Sequence, residues 1–409
     1  MMRLFAAFIA AAVLFAAPVF AADNKALDAQ SNTADILRQD VVNFAGTANN
    51  ADLPQDAYLI RLNRKANGNT NYSMVVRNVD ATEQALLDDA ADGKWDNFTL
   101  FTAAAVAEGF RDADKISVYE SKMNRIVANV NAAQNGNTSV SPKALTRELF
   151  EAMHRDVLTQ PYDINCTEIS KVFETGHFNC VSATVLFNIL ADKAGLDVCA
   201  LEMPGHALSR VKFGAESMNV ETTCSSWFEL QNETSRKNAV MERAATAPAV
   251  GNPSVATADS AATLNEVSKN LREITPVQLI ATIYYNKGVD FHAQKRYAEA
   301  AVANVKALQL DPNSETAWGN LMAAINNWAI EIVTDTKRYD LAAALLDQGA
   351  YLDPTYEKFQ ANQLHVFYHW IYDLAREGRI ADAKTVYALA AQRLPGNADL
   401  QNLMQSIEK

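Results

Sequence analysis

The chain has 409 residues, 49% of them hydrophobic and 21% charged, which excludes a disordered acidic polymer and leaves room for two or three folded domains. With 36 Lys and Arg against 48 Asp and Glu, the formal charge is −12, a balance that speaks against nucleic acid or a polybasic membrane anchor as partner. Gly and Pro number only 15 and 11, and with many Ala-rich stretches helices are expected to outweigh strands.

Residues 1–22 read as a cleaved secretory signal peptide. Met1 to Arg3 give a positive start, Leu4 to Ala17 an apolar run, Pro18 a break, and Val19-Phe20-Ala21 a small-residue site before Ala22-Asp23. The expected location is secreted or periplasmic, with no membrane span after cleavage. Residues 23–135 read as a helical N-terminal region, with amphipathic segments at Thr82 to Ala91 and Asn97 to Asn131 set between Asn/Gly clusters. Ser141-Pro142 then opens a helix running to about Leu158, since Ser caps well, Pro suits the first turn, and Leu145, Leu149 and Met153 share one face. Tyr162-Asp163 ends that segment.

The four cysteines, Cys166, Cys180, Cys199 and Cys224, lie within one stretch of about 60 residues. In an oxidising compartment they could form disulfides in any of three pairings, with Cys166 and Cys224 the candidates that leave Cys180 free. No CxxC or Cys/His ligand spacing is present, so no metal or cofactor is expected. Cys180 follows the cap residue Asn179 and opens an apolar stripe of Val181, Val185, Ile189 and Leu190 that ends at Gly195. At a helix N-terminus the dipole favours a thiolate. Gly176 permits a close approach to this helix start, and Cys199 alternates with apolar residues on a strand, Val198 to Met203. Pro204-Gly205 turns into a second strand that begins with His206, and a third strand, Met218 to Thr222, carries Glu221. Nucleophile, base and orienting acid thus occur in the order Cys180, His206, Glu221.

These residues resemble the transglutaminase-like superfamily of papain-like thiol enzymes. The resemblance runs from about Ser141 to Thr223, through Gly176-His177-Phe178-Asn179-Cys180, Pro204-Gly205-His206-Ala207 and Asn219-Val220-Glu221-Thr222-Thr223. It implies a core over 141–231 with Cys180 as nucleophile, His206 as general base and acid, and Glu221, where many members have Asp, in the third position. No residue that would complete an oxyanion hole beside the Cys180 amide is identifiable from the sequence. His177 reads as a surface loop residue, and His365 with His369, one turn apart, lack a third ligand for a metal.

Residues 232–262 shift to Ala, Thr, Ser, Pro and Gly and read as a linker. Beyond it, Leu310-Asp311-Pro312, Leu352-Asp353-Pro354 and Leu394-Pro395 recur at spacings of 42 and 41, and Arg296-Tyr297, Arg338-Tyr339 and Arg379-Ile380 keep the same intervals. Small residues recur in each second helix: Ala300 and Ala307, Ala342 and Gly349, Ala383 and Ala390. Over residues 276–409 this resembles the tetratricopeptide repeat family, with Tyr284, Gly288 and Phe291 in the first helix of repeat one and Trp318 and Leu321 in that of repeat two. Lys287 and Asn304 depart from its pattern, and a longer first helix in repeats two and three accounts for the period. The resemblance implies stacked helix pairs whose concave face binds a protein partner.

The expected fold class is therefore α+β: a helical N-terminal region, a papain/transglutaminase-like α+β core, and a C-terminal all-α tetratricopeptide-like repeat. The expected function is a thiol enzyme that cleaves or transfers amide bonds of a peptide or protein, water or an amine taking the acyl group. The alternative is a noncatalytic assembly scaffold that uses the repeats.

Overall fold

The computed structural model describes residues 63–64, 70–71, 80–133, 141–203, 205–229 and 271–409. The expected signal peptide and the 232–262 linker lie outside them. The architecture is mixed and mostly helical, with a four-stranded antiparallel sheet. The described residues fall into two compact units, Leu59–Trp328 and Ala329–Lys409, whose boundary lies inside one long helix.

In the first unit, the two-residue strands β1 (Asn63–Arg64) and β2 (Thr70–Asn71) pair antiparallel. Helices α1 (Ala81–Asp89), α2 (Leu100–Glu108) and α3 (Ala113–Ala133) follow. The amphipathic stretch expected from Asn97 to Asn131 is thus two helices. Gly109 adopts φ +89° and closes α2 with its N–H on the Val106 carbonyl, and the Asp112 carboxylate accepts the Lys115 N–H to open α3. A left-handed glycine followed by a capping carboxylate outweighs continuous apolar periodicity. The helix predicted at Ser141-Pro142 is α4 (Pro142–Asp156), with the Ser141 hydroxyl accepting from Ala144 N–H.

Helices α5 (Ile169–Thr175) and α6 (Cys180–Lys193) lead to the sheet strands β3 (Asp197–Met203), β4 (His206–Phe213) and β5 (Glu216–Val220). Strand β6 (Arg272–Ile274), not foreseen from the sequence, comes from beyond the linker and pairs with β3, giving the order β5-β4-β3-β6. Helix α6 is buried almost throughout and lies on β3 and β4, with α2, α3 and α4 around it. A helix apolar on every face is one surrounded by protein.

The helical pair α7 (Pro276–Ala293) and α8 (Tyr297–Leu310) belongs to this same unit. Gly288 of α7 approaches α8 so closely that a Cβ would lie 3.3 Å from the Ala300 carbonyl oxygen, with the Asn304 side chain closer still. The Tyr284 hydroxyl and Lys306 ammonium both reach Glu83 of α1, at 2.9 and 2.7 Å. Lys287 donates to the Ala107 and Glu108 carbonyls at 3.2 and 3.3 Å, supplying a cation to the C-terminus of α2. Its departure from the repeat pattern thus has a local use.

The Glu108 side chain, half-buried beneath α5, accepts the Ser170 N–H at 3.1 Å. Burial pushes its carboxyl up to about 7, with Glu168 adding to the rise and the Ser170 and Ile169 hydrogen bonds opposing it. A carboxyl raised above its unfolded value binds more protons when folded, so stability is lost as pH rises from about 4.5 through about 7. Glu108→Gln is therefore expected to be more stable than the parent by roughly 2 kcal/mol at about pH 8 and nearly equal to it at about pH 4. Urea unfolding at the two pH values measures this; a difference independent of pH would contradict it.

Helix α9 (Glu315–Thr336) crosses into the second unit, which continues with α10 (Tyr339–Leu352), α11 (Glu357–Arg376), α12 (Ile380–Arg393) and α13 (Ala398–Ile407). The helices α8, α10 and α12 are each 14 residues long, whereas their preceding partners α7, α9 and α11 have 18, 22 and 20. The extra length of the later repeats lies in the first helices. Each second helix is entered through a left-handed residue, Lys295, Lys337 or Gly378, followed by an arginine paired with an acid in the first turn: Glu299, Asp340 or Asp382. Gly349 packs closely against Phe359, where a Cβ would come 2.5 Å from the ring atoms Cε1 and Cζ. No helix among the described residues is long and apolar enough to cross a membrane.

Candidate active site

The segment leading into α6 is held by a short parallel pairing. Helix α5 ends at Gly176, φ +80°, whose carbonyl accepts the Gln160 N–H at 3.1 Å. A Cβ on Gly176 would lie 2.3 Å from Thr159 Oγ1, so the close approach needs both the left-handed backbone and the missing side chain. Tyr162 then bridges Phe178 in parallel, with Asp163 N–H donating to the Phe178 carbonyl at 2.9 Å. The His177 ring meets the Pro161 carbonyl oxygen at 2.8 Å, which explains that histidine without chemistry.

Asn179 closes the entry to α6 as a capping box. Its Oδ1 accepts the Val181 and Ser182 N–H groups at 3.0 Å each, the Ser182 hydroxyl accepts the Asn179 N–H at 3.0 Å, and Asn179 Nδ2 donates to Ile164 O and Thr167 Oγ1. Cys180 is thereby the first residue of a well-capped helix, and it is half-buried.

Two polar side chains inside this helix fix it to the sheet. Asn188 Nδ2 donates to Ser209 Oγ of β4 at 2.7 Å, and the Thr184 and Thr222 hydroxyls meet at 3.0 Å. His154 of α4 meets the Thr222 carbonyl at 3.0 Å, and burial pushes its imidazolium down, keeping it neutral. These contacts bring the start of α6 to the beginning of β4 and the end of β5.

Ser209 pairs with Val220, so Glu221, one step past β5, stands diagonally across from His206. His206 Nε2 meets Glu221 Oε2 at 2.7 Å, while Glu221 Oε1 accepts both the N–H and the hydroxyl of Thr223, at 3.2 and 2.6 Å. Cys180 is the other group that acts on the His206 imidazole, favouring its charged form. The structure thus hydrogen-bonds His206 to Glu221 and brings both close enough to Cys180 for the thiol to influence the imidazole.

The electrostatics favour charge separation. Burial alone would push the His206 imidazolium down, but the hydrogen bonds and negative charges of Cys180 and Glu221 outweigh it and carry it up to about 10. Burial would likewise raise the Glu221 carboxyl, yet the His206 hydrogen bond and charge, with the two bonds from Thr223, hold it below its ordinary value. Across neutral pH the histidine is a cation and the glutamate an anion.

Tyr162 is the residue that sequence reading missed. Burial of its hydroxyl end, followed by the charge of Cys180, pushes its phenol well up. Nothing in its local sequence marks it, since it reads only as the end of a helical segment; the signal is its bridge to Phe178 across the loop.

The other cysteines stand apart. All four are free thiols, so the candidate pair Cys166 and Cys224 forms no bridge: Cys166 Sγ donates to the His177 carbonyl at 3.1 Å, and Cys224 Sγ faces Ser226 Oγ at 3.6 Å. Burial pushes Cys166 up to about 11 and Cys199 up to about 12, so both are unreactive thiols at neutral pH. In the second unit the His365 and His369 rings lie 4.4 Å apart, tilted by 59°, and among the described residues no group of three or more metal-binding side chains forms.

No family model, curated protein or solved structure matches this chain. The functional reading accordingly rests on the residues themselves.

Proposed function

We propose that the protein is a transglutaminase-like cysteine enzyme that cleaves or transfers amide bonds of a peptide or protein, secreted or periplasmic, with its tetratricopeptide-like helices binding a protein partner. The observation that carries this reading is His206, placed between a half-buried thiol at a helix N-terminus and a carboxylate at 2.7 Å. A scaffold has no need of such a relay.

In this mechanism the Cys180 thiolate attacks the carbonyl carbon, forming the S–C bond as the carbonyl π pair moves onto oxygen. When the intermediate collapses, the C–N bond breaks and the His206 imidazolium gives its proton to the leaving amine. Water or an acceptor amine then attacks the thioester carbon while His206 removes its proton, and as the intermediate collapses the S–C bond breaks, releasing the acid or new amide and returning the Cys180 thiolate. Glu221 stays ionised, holding the ring orientation and stabilising its charge.

The test is iodoacetamide labelling with peptide mapping at about pH 6 and about pH 8, in which the other thiols act as internal controls. Cys180 is expected to label at least about tenfold faster than Cys166 and Cys199 at both values. Labelling of Cys180 no faster than that of its neighbours would overturn the enzyme reading and direct attention to the helical repeats as a scaffold.

A further inference from the structure

We propose that His365 and His369 of α11 form a bidentate imidazole site for one divalent ion of the late first-row transition series, such as nickel, copper or zinc. The site lies wholly within the second unit and is independent of the thiol-centred reading of the first.

Three observations carry it. The chain has six histidines, and four of them are taken up by hydrogen bonds: His154 with the Thr222 carbonyl, His177 with that of Pro161, His206 with Glu221, and His292 Nε2 with Asn327 Nδ2 at 2.8 Å. Among the described residues, no protein group hydrogen-bonds the rings of His365 and His369, which meet one another instead, with centroids 4.4 Å apart and planes tilted by 59°. Four residues apart on one helix, they stand on successive turns of the same face, the spacing at which two imidazoles reach a common ion. Two nitrogens bound to one ion at about 2 Å each lie roughly 3 Å apart, so rings this close need only side-chain rotation to chelate.

The third observation is where the pair sits. Both histidines are exposed and line a groove between α11 and α13, whose other wall carries Asp399, Asn402 and Ser406. An ion therefore enters from solvent without any opening of the fold, and water fills the coordination positions that two imidazoles leave over. The Asp399 carboxylate places negative charge in the same groove as the cation. Protonating both rings would set two positive charges side by side, and the His365 imidazolium is held below its ordinary value by burial and then by the charge of His369. The neutral imidazole is the form that ligates a metal. Nitrogen ligands select late transition ions over magnesium and calcium, which take oxygen.

Isothermal titration calorimetry of the full chain, carrying no affinity tag, tests this with NiCl2 as the probe, since copper would oxidise the free thiols. The parent is expected to bind one nickel ion and to give no binding heat with MgCl2. His365→Ala and His369→Ala are each expected to lower the nickel affinity by about 10²-fold, because the imidazole that remains binds as a single ligand. Alanine at an exposed helix position preserves the helix, and circular dichroism checks that it does. Nickel affinity unchanged in either variant overturns the chelate. Binding that is lost in Cys180→Ala but kept in both histidine variants places the ion at the thiol and also overturns it, as does a parent protein that takes up no nickel.

Discussion

Replacing His206 by Ala is expected to lower acylation of Cys180 by p-nitrophenyl acetate by about 10³-fold, the range in which loss of a positioned proton carrier falls. The reason lies in what His206 touches. It carries a positive charge beside the thiol and is itself held by Glu221, so the mutation removes the stabilising cation, the base that activates water and the acid for the leaving group in one step. The pH profile gives a second reading with a definite sign. A histidine raised to about 10 is protonated below that value, so the ion-paired site persists through the neutral range and is lost as pH climbs toward about 10. In His206→Ala the labelling rate is expected to rise with pH as for free thiols, near about 8.5. Glu221→Gln, which keeps an acceptor for Nε2–H but removes the charge, should cost less than Glu221→Ala, which frees the ring. Equal rates for the parent and His206→Ala in acylation would remove the mechanism outright.

Arg272→Ala is expected to destabilise the first unit by about 3 kcal/mol, the loss seen when one partner of a buried ion pair is deleted. Arg272, on β6, lies between Glu202 of β3 and Asp311 just beyond α8, with Nη1 donating to Asp311 Oδ1 at 3.0 Å and Nε to Glu202 Oε2 at 3.2 Å. Both carboxylates are buried, at 8% and 2% exposure, and Glu202 also accepts the Tyr285 hydroxyl at 3.0 Å. Without the guanidinium, two negative charges are left facing each other away from water. Arg272→Lys should recover part of the loss, because a single ammonium cannot span both carboxylates as a planar fork does. Chemical denaturation of the three proteins measures the series, and an Arg272→Ala unfolding free energy within about 0.5 kcal/mol of the parent would show that the pair is not cohesive.

Much of the site is written in neighbouring residues. Asn179 followed by an apolar run gives a capped helix with Cys180 first, alternation gives the strands on either side of His206, and a period of 42 and 41 residues appears as three second helices of equal length. These features need only local geometry: a side-chain oxygen within reach of the next N–H groups, a pleat of two, a turn of 3.6.

What could not be read locally depends on partners far along the chain. Tyr162 comes to lie beside Phe178, two residues before Cys180, where Gly176 lets two loops run side by side; no local pattern of Tyr162 itself encodes that approach. Cys166 is committed to the His177 carbonyl, so cysteine counting alone misleads about bridging. Strand β6 is only three residues long and lacks a periodic signature; its pairing with β3 and the Glu202–Arg272–Asp311 cluster join residues some 40 to 110 positions apart. The sequence by itself determined the caps, the helix and strand periods and the order of Cys180, His206 and Glu221, because each is settled by backbone hydrogen bonding over a few residues. Only the tertiary structure decided that His206 and Glu221 pair beside Cys180, and that Cys166 is buried while the other three thiols stay half-buried, because burial and charge pairing are properties of surfaces that come together only when the helix and sheet have packed.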